Sequence, residues 1–186
     1  DGAVIETSAG RTEIDAPAGP DAFPGMPQLT AVGGGLLDGD QLFGRMTAIA
    51  PYTFAEEGRP TLTAVCVALG ERLRLCAADG FRLAYADLKA GLAPVEGGPA
   101  QLLVPRGAVD VLAKLWKQAP GLPDAPPAAS IADAAMARRL VRVAYDKTFA
   151  SFAFGELTVF VRLGDGTFPN FEQLIPASFS RTVVFH

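Results

Sequence analysis

"QLLVPRGAVDVLAKLW", Gln101 to Trp116, holds two periodicities back to back. "QLLVP" is a short apolar run of strand character, and Pro105 is suited to open a helix because its fixed φ and missing N–H fit a first helical position. Beyond it Ala108, Val109, Leu112, Leu115 and Trp116 fall on one helical stripe, with Arg106, Asp110, Lys114 and Lys117 on the opposite face. A strand leads into an amphipathic helix, and the same elements recur on both sides. Upstream, Leu42, Phe43, Met46 and Ile49 predict a short helix with Asp38 or Asp40 as its cap and Pro51 as its stop. Three strands follow it, Leu62 to Leu69, Arg72 to Ala77 and Phe81 to Leu88, parted by turns at "GE" and "DG". Three more follow the second helix, near Leu140 to Tyr145, Thr148 to Phe154 and Leu157 to Leu163.

The order predicts an α+β fold built on a duplicated β-α-β-β-β unit, two helices packed on antiparallel sheets. The strand from Leu62 is apolar on both alternating faces and so needs cover on each. The next two oppose Leu73, Leu75 and Ala77 to Arg72 and Arg74, which predicts one wet face.

The flanks read differently. Ala3 to Ile14 predicts two short strands joined at "SAG", and the following "DAPAGPDAFPGMP" carries Pro17, Pro20, Pro24 and Pro27, which forbid regular structure. "QAPGLPDAPPA", from Gln118 to Ala128, reads as an exposed loop or insertion that continues to Met136. "FPGMPQL" from Phe23 and "FPNFEQL" from Phe168 share Phe, Pro, Gln and Leu, and read as punctuation between successive domains.

A chain of 186 residues, 49% of them hydrophobic, can build one ordinary domain with parts of its neighbours attached. No apolar run is long enough to span a membrane, no basic segment leads into an apolar one, and the first residue is not Met; the expectation is a piece of something longer. Cys66 and Cys76 lie in apolar alternating stretches and are expected as buried thiols. A net charge of −4 argues against coating nucleic acid by bulk attraction, though it leaves room for a locally basic face. Gly33 to Gly35 match no phosphate-binding pattern and read as a flexible connector. His186 is the lone histidine, and the carboxylates of Glu56 with Glu57, or Asp165 near Glu172, lie in loops without a second functional group. An enzyme, a metal site and a cofactor are all unsupported.

Three ordered stretches, "LRLCAADGFRLAYADL", "LLVPRGAVDVLAKL" and "FGELTVFVRLGDGTFPNFEQLIP", with "RPTLTAV" from Arg59 to Val65 before them, resemble the middle domain of the bacterial DNA polymerase III beta subunit, the sliding clamp. The resemblance runs from about Gln28 to Pro176. It implies a DNA-clamp fold and a ring-shaped processivity factor, in which two chains of three similar domains encircle duplex DNA with helices lining the hole. On that basis residues 1–29 end a first clamp domain, 30–177 form the middle one with a Pro/Ala-rich insertion at 118–136, and 178–186 begin a third.

The resemblance also implies sites. Arg45 on the first helix, with Arg106, Lys114 and Lys117 on the second, are expected near DNA phosphates, held by sequence-independent attraction. The loop before "RPTL" approaches DNA in relatives; here it is "FAEEGRP", with Arg59 as its only cation beside Glu56 and Glu57. A hydrophobic cleft for partner peptides is implied at Leu62, Gly80, Phe81, Arg82, Leu83, Pro169, Gln173 and Leu174, where Gln173 stands in place of a side chain charged in many relatives. Taken alone, those leucines read as ordinary core and the helix cations as solubility. Implied partners are duplex DNA, a polymerase that itself holds the catalytic activity, clamp-loader subunits and a second copy in the full-length ring, all in the cytoplasm. Two alternatives stay open: a clamp-like paralogue that binds peptides without loading on DNA, and a hydrolase or transferase using loop carboxylates.

Overall fold

The computed structural model describes residues 2–15, 25–56, 58–89, 96–118 and 140–175. The sequence order returns with one addition. β1 (Gly2–Thr7) and β2 (Gly10–Asp15) form an antiparallel hairpin, the two strands foreseen there. After it come β3 (Gly33–Asp38), α1 (Gly39–Ile49), β4 (Ala64–Leu69), β5 (Arg72–Ala78), β6 (Leu83–Lys89), β7 (Ala100–Pro105), α2 (Arg106–Gln118), β8 (Leu140–Tyr145), β9 (Phe149–Phe154) and β10 (Leu157–Arg162). The "QAPGLPDAPPA" insertion and "SRTVVFH" lie outside the described residues, save Gln118.

β3 corrects the expectation of a flexible connector at Gly33 to Gly35. All three glycines pair in register with β8, opposite Tyr145, Ala144 and Val143. Glycine is required there by space: a Cβ on Gly33 would overlap the Tyr145 hydroxyl and the Glu96 carbonyl, and one on Gly34 would overlap the backbone of Val143. Glu96 approaches closely enough to exchange backbone hydrogen bonds with Gly34, at 3.1 and 2.8 Å. With β3 counted, each half of the domain is strand, helix, three strands.

The halves exchange their first strands. One sheet runs β10-β9-β8-β3 and the other β6-β5-β4-β7, so the strand before each helix completes the sheet of the other half. All pairings within both sheets are antiparallel.

The helices explain the main core. Asp38 caps α1, its carboxylate accepting from the Gln41 amide at 2.9 Å, which satisfies one of the orphan donors of the first turn. Leu42, Phe43, Met46 and Ile49 are buried as their spacing requires, as are Val109, Leu112 and Trp116 of α2. They pack together on the inward residues of both sheets, including Val65, Val67, Leu73, Leu75, Leu102, Val104, Phe152 and Phe154. Phe43 lies at the centre, with ring centroids 5.2 Å from Trp116, 5.5 Å from Phe154 and 6.2 Å from Phe152.

Two boundaries shift. Leu62 sits in a 3-10 turn, Pro60–Thr63, ahead of β4, and Phe81 sits in the turn before β6. The alternation of β4 is as expected, with Ala64 and Cys66 covered on the outer face while Val65, Val67 and Leu69 meet the helices.

Candidate functional site

The outer face of the β6-β5-β4-β7 sheet carries a second apolar cluster. It contains Leu62, Ala64, Cys66, Cys76, Leu103, Phe168 and Phe171, with Phe54, Ala78 and Leu83 packed against it. This narrows the expectation of one wet face on β5 and β6: Arg72, Tyr85 and Asp87 are exposed there, but Cys76 of β5 is buried, because the loop after β10 folds back over it. The Gly164 amide donates to the Leu103 carbonyl at 2.8 Å and brings the loop down onto β7. Phe168 and Phe171 then fill the outer surface, their rings 6.2 Å apart and steeply tilted.

Of the expected cleft residues, two are in contact with this cluster. Leu62 belongs to it and Leu83 packs on it. Pro169 lies between its two phenylalanines in the chain, and Gln173 and Leu174 end the 3-10 turn Phe171–Leu174. Gly80, Phe81 and Arg82 form the tight turn between β5 and β6. There the Asp79 carboxylate accepts from the amides of Phe81 at 3.0 Å and Arg82 at 2.9 Å, and from Arg82 Nε at 3.0 Å and Nη2 at 2.8 Å. The Phe81 amide first, then the Arg82 side chain, hold the Asp79 carboxyl down at about 2. Gly80 has φ +91°, a left-handed conformation that excludes most side chains.

What this turn presents is unusual for a hydrophobic residue: Phe81 is 97% exposed, and Leu174, at the end of the 3-10 turn, is 69% exposed. Neither is core, which counters the ordinary-core reading for Leu174, whereas Leu62, 8% exposed, is buried as that reading expected. Arg82 lies over the Tyr52 ring at 5.2 Å and Arg59 over the Phe54 ring at 5.8 Å. The Arg59 guanidinium also lies beside Gly80 of the turn.

The expected cations of the two helices are exposed to solvent. On α2, Arg106, Asp110, Lys114 and Lys117 are exposed, and on α1 the exposed positions include Gln41, Gly44 and Arg45. Lys117 lines a groove of about 490 Å³ between the helices, with Asp40, Gly44, Thr47 and Ala113.

Cys66 and Cys76 face each other in register across β4 and β5 and are free, buried thiols, as foreseen. Burial pushes both up to about 12. Among the described residues no cluster of three His, Cys, Asp or Glu is arranged to hold a metal, and no helix is long and apolar enough to cross a membrane.

Missed from sequence was Arg74, which pairs with Glu172 of the Phe171–Leu174 turn. Also missed was the tilted contact of Tyr85 with Phe171, 5.5 Å between centroids. The alternation that put Arg74 and Tyr85 on the outer face of β5 and β6 was the available signal; the partner loop was not.

No family model matches the chain, and no curated protein matches it by sequence. Solved structures do. The DNA polymerase III subunit beta of Pseudomonas aeruginosa is similar over 95% of this chain and 43% of its own, at 20% identity and a TM-score of 0.74. The Helicobacter pylori beta clamp, solved bound to a DNA ligase peptide, is similar over 97% and 45%, at 16% identity and a TM-score of 0.74. The C. crescentus beta sliding clamp is similar over 94% and 43%, at 23% identity and a TM-score of 0.73. The chain thus spans less than half the length of these clamps. It has the fold of the bacterial DNA polymerase III beta sliding clamp.

Proposed function

We propose that the chain is the middle domain of a DNA sliding clamp, with the end of a first clamp domain in 1–29 and the start of a third in 178–186. The observation that carries this is the clamp fold together with an exposed aromatic and an exposed leucine, Phe81 and Leu174, at two of the positions where the resemblance expects the peptide cleft. Large apolar side chains left open on two rigid turns are suited to a partner. A short peptide with a leucine and a phenylalanine would place these anchors against Leu62, Leu83 and Pro169, while Gly80, Arg82 and Gln173 supply polar groups that fix its orientation.

DNA would be held by topology. The full-length protein closes as a ring of two copies, and Arg45, Arg106, Lys114 and Lys117 on the helical face attract phosphates without reading bases. The ring raises the local concentration of a tethered polymerase at the primer end, while the chemistry belongs to that partner. The clamp would work in the cytoplasm with polymerase and clamp-loader subunits, and needs no cofactor.

The test uses the full-length protein that contains this chain. It should bind a fluorescein-labelled peptide bearing Leu and Phe, and should make synthesis on primed circular DNA processive when a clamp loader is present. Peptide binding without processivity would replace this proposal with the paralogue that does not load on DNA. Loss of both would end it.

A further inference from the structure

The Arg74 and Glu172 pair joins two elements 98 residues apart. Its geometry follows from the register. Asp87 stands directly opposite Arg74 across β5 and β6, yet its carboxylate is taken by Arg72, whose Nε donates to it at 2.5 Å. Tyr85 also bonds Asp87, and Arg72 first holds the Asp87 carboxyl below the usual carboxylate range. Arg74 is thereby left to reach Glu172. Its Nε is buried and, among the described residues, has no hydrogen-bond acceptor, so Nη1 on Glu172 is the polar contact that orients the guanidinium.

Glu172 sits in the single 3-10 turn that ends at Leu174. With three residues per turn, Phe171 and Leu174 eclipse each other while Glu172 projects about a third of a turn away. Phe171, 4% exposed and packed on Tyr85 and Phe168, pins one side of the turn to the cluster. One apolar anchor leaves the turn free to roll about its own axis. A second anchor on another side, Glu172 to Arg74, removes that freedom and fixes the direction of Leu174. The Asn170 side chain, which accepts from the Glu172 amide at 3.3 Å, closes the start of the turn and adds no tie to the sheet.

We infer that Arg74 is a positioning residue for the peptide cleft, acting through Glu172 to hold the wall that carries Leu174 in its binding orientation. The inference rests on the peptide-cleft reading of Phe81, Leu62 and Leu174. The pair is half exposed, 37% for Arg74 and 54% for Glu172, so salt should weaken it.

The test is a double-mutant cycle in the full-length protein, read by isothermal titration calorimetry with an N-acetylated, C-amidated peptide that contains Leu and Phe and no charged residue. Arg74→Met keeps most of the aliphatic stem and Glu172→Gln keeps the shape; each should raise Kd roughly three- to fivefold, the effect of a half-exposed ion pair. The double variant should lose no more than either single, which is the signature of one shared interaction. Arg74→Lys should recover most of the affinity. Raising salt from low to high should weaken wild-type binding and leave Glu172→Gln unchanged, a readout that overall stability would not mimic because the peptide is uncharged. Independent, additive losses, or variants indistinguishable from wild type, would overturn the inference while leaving the cleft intact. A wild-type protein that ignores the peptide would instead remove the cleft reading beneath it. Glu172 is a surface residue, so Glu172→Gln keeps the test informative even if Arg74→Met folds poorly.

Discussion

Trp116 donates its indole N–H to the Asp40 carboxylate at 2.9 Å, tying the last turn of α2 to the first turn of α1. The same ring packs on Phe43 and Phe154, so one side chain joins both helices to β9. Trp116→Phe should keep much of the packing and lose the bond to a charged group, lowering stability by about 1.5–3 kcal/mol. Trp116→Ala should lose about 3–5 kcal/mol, since the residue is nearly buried. Urea unfolding curves with equal m-values would measure both; a Trp116→Phe variant as stable as wild type would deny the hydrogen bond a role.

The Asp79 turn gives a pH dependence with a defined sign. Its folded value near 2 lies below the ordinary 3.8, so its contribution is present above pH 4 and disappears as pH falls through 2. Carboxyl-carbon NMR should therefore find Asp79 titrating near 2, below the ordinary aspartate value of 3.8. Asp79→Asn should weaken peptide binding by loosening the presentation of Phe81, with peptide Kd as the measurement.

Phe81 separates binding from folding more sharply than any other cleft residue. At 97% exposed it contributes almost no burial, so Phe81→Ala should leave thermal stability within about 0.5 kcal/mol of wild type. If it anchors a peptide, the same change should raise Kd about tenfold or more, as for aromatic hot spots. An unchanged Kd would remove Phe81 from the cleft.

Cys66 and Cys76 should resist alkylation and disulfide exchange in the native protein at pH 8, because the thiolate is the reactive form and burial holds both thiols near 12. Labelling should follow global unfolding as denaturant is added. Above pH 9, the ordinary thiol value, the unfolded chain ionises first, so stability should fall between pH 9 and about 12.

On the helical face, neutralising Lys114 or Lys117 should reduce the slope of log K for DNA against log salt by about 0.9 per cation. The full-length ring on linear duplex, titrated at several salt concentrations, would show it. An unchanged slope would make these lysines solubility residues only.

Much of this fold was legible because its elements announce themselves locally. The stripes of α1 and α2 and the alternation of β4 and β5 each need only a window of about ten residues. β3 was hidden for a local reason as well: "GGG" carries neither β-branching nor alternation, and its strand state follows from the close approach of Tyr145 and Glu96, which no glycine reveals. Only the symmetry of the duplicated unit asked for a strand there. The candidate site was legible where a motif carried it, as at "DGFRL", and silent where it depended on distant chain. Nothing around Arg74 indicates that Glu172 will answer it, and nothing in the alternation of β5 says that Cys76 is roofed while Arg74 is not.

The outer cluster has a consequence for the order in which the molecule matures. Its floor comes from β4, β5 and β7, and its roof from Phe168 and Phe171 near the far end of the described chain. Closing so long a loop is slow compared with forming a helix or a hairpin. Cys66, Cys76 and Leu103 therefore face water until the segment bearing Phe168 and Phe171 arrives. A ligand taken up on this face would report that the segment bearing Phe168 and Phe171 had docked.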